Sequence, residues 1–297
     1  MSVVINTNVD ALKVQNILSS ATNKLSETMQ RMSSGSKINY AKDDAAGVVI
    51  SAKMKVQLNG NQICQNNVQS ANALLSTSEG NVDVVLDNIS RIRDLTLQAK
   101  NGTYSDNELS AMQKEIDERI AEIDRVSASA KHSEVKLFGD ETLKEQGMKF
   151  QVGQNADSGT EENNVIKADK SLFKSVEFSQ LTGAGGAFNL ANIKAGKTEA
   201  QGNKFGDFNA ALTKLDNAIN DLTGRKAVIG AAQSRLSSAL DTLTTQYTNL
   251  SSANSIIADA DIAAEASKFT QNQILQQVST SLLAQANQSP SIALSLI

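Results

Sequence analysis

At 297 residues the chain has the length of two ordinary domains, yet 4% aromatics, no Trp and a single Pro exclude a thick, aromatic-centred core. A formal charge of −4 and a pI near 5.2, with Lys and Arg spread among acids, exclude a nucleic-acid grip, which needs clustered positive charge. No apolar run reaches the roughly eighteen residues of a membrane span, so no membrane insertion is expected.

Cys64 is the sole cysteine, which rules out an internal disulfide. Its place in an apolar seam favours a small packed hydrophobe over a reactive thiol. The N-terminal Met-Ser-Val-Val-Ile-Asn-Thr-Asn lacks a basic region followed by an apolar run, so no ordinary secretory signal is predicted. A protein of this kind working outside the cell must leave by an unusual route.

Along the chain, Leu18, Ala21, Leu25 and Met32 keep helical spacing until Ser33-Ser34-Gly35-Ser36 interrupts it, predicting a first helix that ends near residue 33. A second seam follows in alternating threes and fours: Met54, Gln57, Asn61, Cys64, Val68, Ala71, Leu75, Ser78, Val82, Val85, Ile89, Ile92, Thr96, Ala99. Gly47, Gly60 and Gly80 weaken it, each by roughly 1 kcal/mol relative to Ala. Asn101-Gly102 supplies a stop, and Ser105-Asp106-Asn107-Glu108 is a capping-box pattern that opens a new helix. Leu109, Met112, Ile116, Ile120, Ile123 and Val126 mark that helix to about Ala130, antiparallel to the one before it.

Between Lys131 and Gly206, which hold most of the glycines and phenylalanines, the helical period disappears. A strand-and-turn insert is predicted there. Met148 to Val152 alternates as a half-buried strand, Val165-Ile166 begins a return strand, and Gly183-Ala184-Gly185-Gly186 reads as loop.

The most regular pattern comes next: Phe208, Leu212, Leu215, Ile219, Leu222, Lys226, Ile229, Gln233, Leu236, Leu240, Leu243, Tyr247, Leu250, broken only by Lys226 and Gln233. A 3.5-residue repeat this long makes a narrow stripe that needs a partner helix. The helix would run on the order of 64 Å at 1.5 Å per residue. Beyond Ser251 helix resumes, with Ile262, Phe269, Leu275, Val278 and Leu282 on a common face, ending at Pro290. Its polar face is Gln, Asn, Ser and Thr, so both chain ends suit packing among many copies and are weakly stabilised alone.

The fold class predicted is mainly α: an elongated antiparallel coiled-coil or helical-bundle rod with a small β-hairpin-containing insert. Its segments are 1–40 and 253–297 as terminal assembly helices, 41–150 as rod helices with the first strand, 151–205 as a short solvent-facing insert, and 206–252 as the C-terminal rod helix. The sequence asks for no catalytic residue, metal or cofactor. His132, the only histidine, lies in the polar break Lys131-His132-Ser133 without a strained Ser turn nearby. Glu161-Glu162 reads as a charged turn, and the Gly183 cluster lacks the Lys of a phosphate cradle.

The two ends resemble the bacterial flagellins. Ile5-Asn6-Thr7-Asn8, Met32-Ser33-Ser34-Gly35-Ser36-Lys37-Ile38-Asn39 and Ala41-Lys42-Asp43-Asp44-Ala45-Ala46-Gly47 match the family's leader. Arg91-Ile92-Arg93-Asp94-Leu95, Gln98-Ala99, Asn101-Gly102-Thr103 and Glu122-Ile123-Asp124-Arg125-Val126 follow in the family's order. Gln273-Ile274-Leu275-Gln276-Gln277, Leu283-Ala284-Gln285-Ala286-Asn287-Gln288 and Leu294-Ser295-Leu296 resemble its C-terminal signature, so the resemblance covers residues 1–155 and 205–297.

The resemblance implies a structural subunit that polymerises with many copies of itself into the bacterial flagellar filament, is exported unfolded by the flagellar type III system, and gives motility. It implies an extracellular location, contacts with flagellar cap and hook-filament junction proteins, and an export chaperone at the C-terminus. Implied roles fall on Leu215, Ile219, Leu222, Ile229, Leu236, Leu240, Leu243, Val82, Val85 and Ile89 as the self-assembly seam. Leu18, Leu25, Phe269, Leu275, Val278 and Leu282 belong to the terminal polymerisation helices. An innate immune receptor of the Toll-like class would meet Arg91, Leu95 and Glu115, with Ser90 standing where a glutamine is common. The rival readings are a hook-filament junction protein, or a secreted coiled-coil adhesin or receptor ligand.

Overall fold

In the computed structural model, residues 8–155, 164–182, 188–194 and 207–294 are described. The chain divides into two compact units, Met1–Asn59 with Tyr247–Ile297, and Gly60–Gln246. Helices α2 (Ala45–Ala99) and α7 (Phe208–Ala258) belong in part to each.

In the Gly60–Gln246 unit, α2 and α7 pair antiparallel. Gln233 of α7 reaches Ser76 Oγ at 3.4 Å and Glu79 Oε2 at 3.3 Å, Lys226 Nζ meets Asp83 at 2.8 Å, and Asp216 meets Arg93 Nε at 2.5 Å. Lys100, just past α2, donates to Asn209 Oδ1 at 2.7 Å. Each step back along α7, from Gln233 to Lys226, Asp216 and Asn209, equals the step forward along α2. The register therefore holds without slip. On α2 the predicted line is buried from Asn61 to Ala99; Met54 is only half-buried and Gln57 is exposed.

On α7 half of the predicted seam is displaced by one residue. Leu215, Leu222, Ile229, Leu236 and Leu243 are buried at every seventh position, as expected. The intervening line is Ala211, Ala218, Arg225 and Ala232. Leu212 is half-buried, and Ile219 and Leu240 flank the core only partly buried. Small residues let helices approach closely, and a helix with more than one neighbour buries a broader stripe than a two-helix seam. The two apparent breaks vanish in this register, because Lys226 and Gln233 flank the core and bond to carboxylates of α2.

Helix α3 (Asp106–Ser129) opens with the complete capping box: Ser105 Oγ accepts from Glu108 N–H, and Glu108 Oε2 accepts from Ser105 N–H at 2.7 Å. That backbone donor holds the Glu108 carboxyl below the usual range. Leu109, Ile116, Ile123 and Val126 are buried. The helix lies antiparallel to α2, joined by Arg91 to Glu115 at 2.8 Å and Arg119 Nη1 to Asn88 Oδ1 at 3.1 Å.

The insert is more than strands and turns. A two-residue hairpin joins β1 (Lys131–His132) to β2 (Val135–Lys136), with Ser133 and Glu134 at positive φ as its twist demands. Helix α4 (Glu141–Gln146) precedes β3 (Met148–Gln151), which pairs antiparallel with β4 (Val165–Ala168), the expected return strand. A 3-10 turn (Lys170–Phe173) and the short helices α5 (Phe178–Leu181) and α6 (Leu190–Lys194) follow.

The described part of residues 151–205 is not solvent-facing throughout. Leu172, Phe173, Val176, Phe178, Phe188, Leu190 and Ile193 are all buried in the same core as the helices. Helix side chains hold its backbone: Gln113 donates to Phe188 O and accepts from Leu190 N–H, Asp124 accepts from Phe178 N–H, and buried Arg225 donates to Lys174 O. Periodicity could not show this, because the insert fills the core with apolar residues at no regular spacing. The Gly183–Gly186 loop and the Glu161-Glu162 turn lie outside the described residues.

Leu222 lies at the centre of the core, whereas Leu240 is only partly buried. Leu222→Ala is expected to cost about 2–5 kcal/mol in urea denaturation, and Leu240→Ala less than half as much.

Candidate assembly surface

In the other unit, α1 (Val9–Ser34) packs along α8 (Ile262–Leu294). The first begins at Asn8, whose Oδ1 accepts from Ala11 N–H, and ends on Gly35 at φ 67°, a left-handed cap that favours glycine. The second continues through Pro290, beyond the predicted end. The connections meet at a corner: Lys37 N–H donates to Ala258 O, and Ala260 N–H to Gly35 O. Gly47 lets the 36–44 segment fold onto the start of α2, since a Cβ there would sit 2.6 Å from Ile38 Cδ1.

The seam of this helix pair is mixed in polarity. The α8 line facing α1 is Glu265, Phe269, Asn272, Gln276, Ser279, Leu283 and Ala286, buried or half-buried at steps of four and three. Opposite lie Leu18, Ala21, Leu25 and Thr28, with Leu18 and Leu25 half-buried. Asn272 Nδ2 donates to Thr28 Oγ1 at 3.5 Å, Gln276 Nε2 to Thr22 Oγ1 at 3.3 Å, and Asn8 Nδ2 to Ala286 O at 2.8 Å. Other large apolar side chains point outward. Ile17 is 54% exposed, and Val278 and Leu282 are each 48% exposed.

This corrects one expectation about α8. Phe269 does not share a face with Val278, because nine residues at about 100° each place them on opposite sides. Phe269 is half-buried in the line facing α1, while Ile262, Leu275, Val278 and Leu282 are exposed. Sequence reading missed the inward line because it followed hydrophobicity. The signal was the four-three spacing of the small and amide residues themselves.

Charge concentrates at one end of the pair. Glu265 is buried, its Oε1 lying 2.7 Å from Lys268 Nζ and 3.9 Å from Arg31 Nη1. Arg31 Nη2 also meets Glu27 at 2.6 Å. Glu265 Oε2 and Arg31 Nε are buried without a hydrogen-bond partner.

The remaining predicted residues fall in the Gly60–Gln246 unit. Val82, Val85 and Ile89 are fully buried within the chain, together with the Leu215 to Leu243 line; Ile219 and Leu240 are partly so. They hold one subunit together and leave little surface for a second. Arg91 and Glu115 form an exposed pair, with Arg119 at 3.6 Å from the same carboxylate. Leu95 is buried, so its side chain is not offered at that surface. The buried Cys64 thiol is pushed up by desolvation, in keeping with a packed residue. His132 lines an open groove of about 490 Å³ with Asn67, Leu74, Lys149 and Phe150. Among the described residues no cluster of three His, Cys, Asp or Glu is placed to hold a metal, and no helix is long and apolar enough to cross a membrane.

These features define a mainly α structural protein whose helices α1 and α8 pair with each other and leave apolar side chains exposed outside the pair. Residues 5–142 match the family model for the bacterial flagellin N-terminal helical region, and residues 212–297 that for the C-terminal helical region. The chain is 35% identical over 315 residues to a flagellin of Bacillus subtilis, covering 99% of each chain. It is 31% identical over 289 residues to the flagellar filament 30.7 kDa core protein of Treponema maltophilum, covering 96% of each. A solved putative flagellar hook-associated protein from Vibrio parahaemolyticus shares the fold at TM-score 0.52 and 17% identity, over 72% of this chain and 99% of that one. The chain belongs to the bacterial flagellin family.

Arg91 donates to Glu115 and holds its carboxyl below the usual range. A lowered folded-state pKa contributes stability above the unfolded value of about 4.3, lost as pH falls through the folded value. Wild type and Glu115→Gln are therefore expected to differ in thermal unfolding at neutral pH and to converge below about pH 4. Both side chains are exposed, so the gap at neutral pH is small.

Proposed function

We propose that this flagellin polymerises into the flagellar filament through the paired terminal helices α1 and α8. The family assigns the chain to the extracellular filament as a structural subunit that serves motility. The single observation that supports the route is the apolar surface left exposed outside the mixed α1–α8 seam. A helix pair with amides, hydroxyls and a buried carboxylate among the apolar residues of its seam is poorly stabilised alone, and covering the half-exposed Ile17, Val278 and Leu282 is worth about half of the roughly 1.5–3 kcal/mol of full burial each. Neighbouring copies supply the missing cover. Residues 1–40 and 253–297 accordingly take the inner-tube role.

Finer assignments extend the same reading. The exposed apolar residues of α8 suit an export chaperone before assembly, and cap and hook-filament junction proteins are partners at the filament's ends. Arg91 and Glu115 present a surface to an innate immune receptor of the Toll-like class, without a direct contact from Leu95. His132 carries no catalytic role in this reading, in which the chain acts by packing. The hook-filament junction alternative is not favoured: the likeness to the hook-associated protein is one of fold, whereas the flagellin match extends over nearly the whole chain.

Removing residues 259–297 tests the route. The truncated chain is expected to keep the cooperative unfolding of the Gly60–Gln246 unit in calorimetry, yet fail to grow on filament seeds that wild type extends. Seeded growth at the wild-type rate would refute the assignment of α8.

A further inference from the structure

Asn-Gly occurs at Asn59-Gly60 and at Asn101-Gly102. The dipeptide is chemically labile, because glycine has no Cβ to obstruct attack by its backbone nitrogen on the preceding carboxamide. Both asparagines are exposed, so solvent access does not separate them. The backbone does. Gly60 lies inside α2, where its N–H donates to a carbonyl one turn back and the helix holds its nitrogen away from the Asn59 side chain. Asn101 lies in the connection between α2 and α3. Its own N–H donates to Gln98 O at 3.1 Å, but among the described residues neither its carboxamide nor Gly102 N–H has a hydrogen-bond partner. The flanks of the connection are fixed, by Gln98 Nε2 to Tyr104 Oη at 2.7 Å and Lys100 Nζ to Asn209 Oδ1 at 2.7 Å. The space around Gly102 is open: a Cβ there would meet nothing within 4 Å.

We propose that Asn101 is a site of spontaneous modification, at which the free Gly102 nitrogen closes on the Asn101 side chain and converts it to aspartate or isoaspartate. The Gly102 backbone nitrogen loses its proton to solvent and bonds to Asn101 Cγ; the Cγ–Nδ2 bond breaks and ammonia leaves. Water then opens the resulting succinimide at either carbonyl. The net change is one water consumed and one ammonia released, with no oxidant, enzyme or second copy. The new carboxylate stands just past the C-terminal end of α2, where the helix already carries partial negative charge, and it competes for Lys100, which ties that end to Asn209. The isoaspartate form also lengthens the backbone leading into the Ser105 cap.

The test holds the folded full chain at mildly alkaline pH, digests samples taken over time under acid conditions, and reads each asparagine by mass spectrometry. Asn101 is expected to convert at least about tenfold faster than Asn59, which reacts only when its helix opens. Gly102→Ala, which the open space accommodates, is expected to slow conversion at Asn101 by about tenfold, since a methyl group now obstructs the attacking nitrogen. In urea the two wild-type sites should converge to within about threefold, because the helix that protects Asn59 is gone. Equal rates at Asn59 and Asn101 in the folded chain, an unchanged rate in Gly102→Ala, or a gap that persists in urea would each overturn the proposal.

Discussion

The structure depends on the antiparallel pairing of α2 with α7, held in one register by polar contacts on its flank. Hydrophobic burial alone would tolerate a slip of one heptad, since buried residues recur every seven positions from Leu215 to Leu243. The Lys226–Asp83 and Arg93–Asp216 pairs do not tolerate it. Each is partly exposed and adds little stability by itself. Their contribution is to exclude the alternatives. Once that register is set, α3 has one place to lie along α2, and the insert has one surface to complete.

Two kinds of helix pairing occur in the chain, and they obey opposite rules. In the Gly60–Gln246 unit, Val, Ile and Leu face inward, and charges line the edges. Between α1 and α8, hydroxyls, amides and a buried ion network share the seam with Leu18, Leu25 and Phe269, and further apolar side chains face out. The first arrangement is complete within one chain. The second leaves Ile17, Val278 and Leu282 exposed and Glu265 Oε2 unpaired.

Much of this was legible in the sequence. Gly35 and the Ser105–Glu108 box marked helix ends correctly because capping chemistry is local. The α2 line was placed in register from Asn61 onward. The α7 line is half legible: following the largest side chains selects Leu212 and Ile219 over the buried Ala211 and Ala218, and small alanines leave no hydrophobic peak to read. The α8 face failed for a related reason. Phe269 was grouped with Val278 by apolarity, although the line that contacts α1 runs through Glu265, Asn272 and Ser279. The insert was opaque because Phe173 and Phe188 reach the core through bonds from Gln113 and Arg225 to its backbone, a pattern without period.

The contact between α1 and α8 joins residues as far apart in the chain as Asn8 and Ala286, 278 positions. Closing so long a loop costs only slightly more than closing a medium one, so the separation is thermodynamically cheap. Its effect on timing is larger. The first helix has no mate until the last one exists, and the surface they build together comes into being only when the polypeptide is whole. In the proposed route, the capacity to join other subunits therefore waits on the last helix.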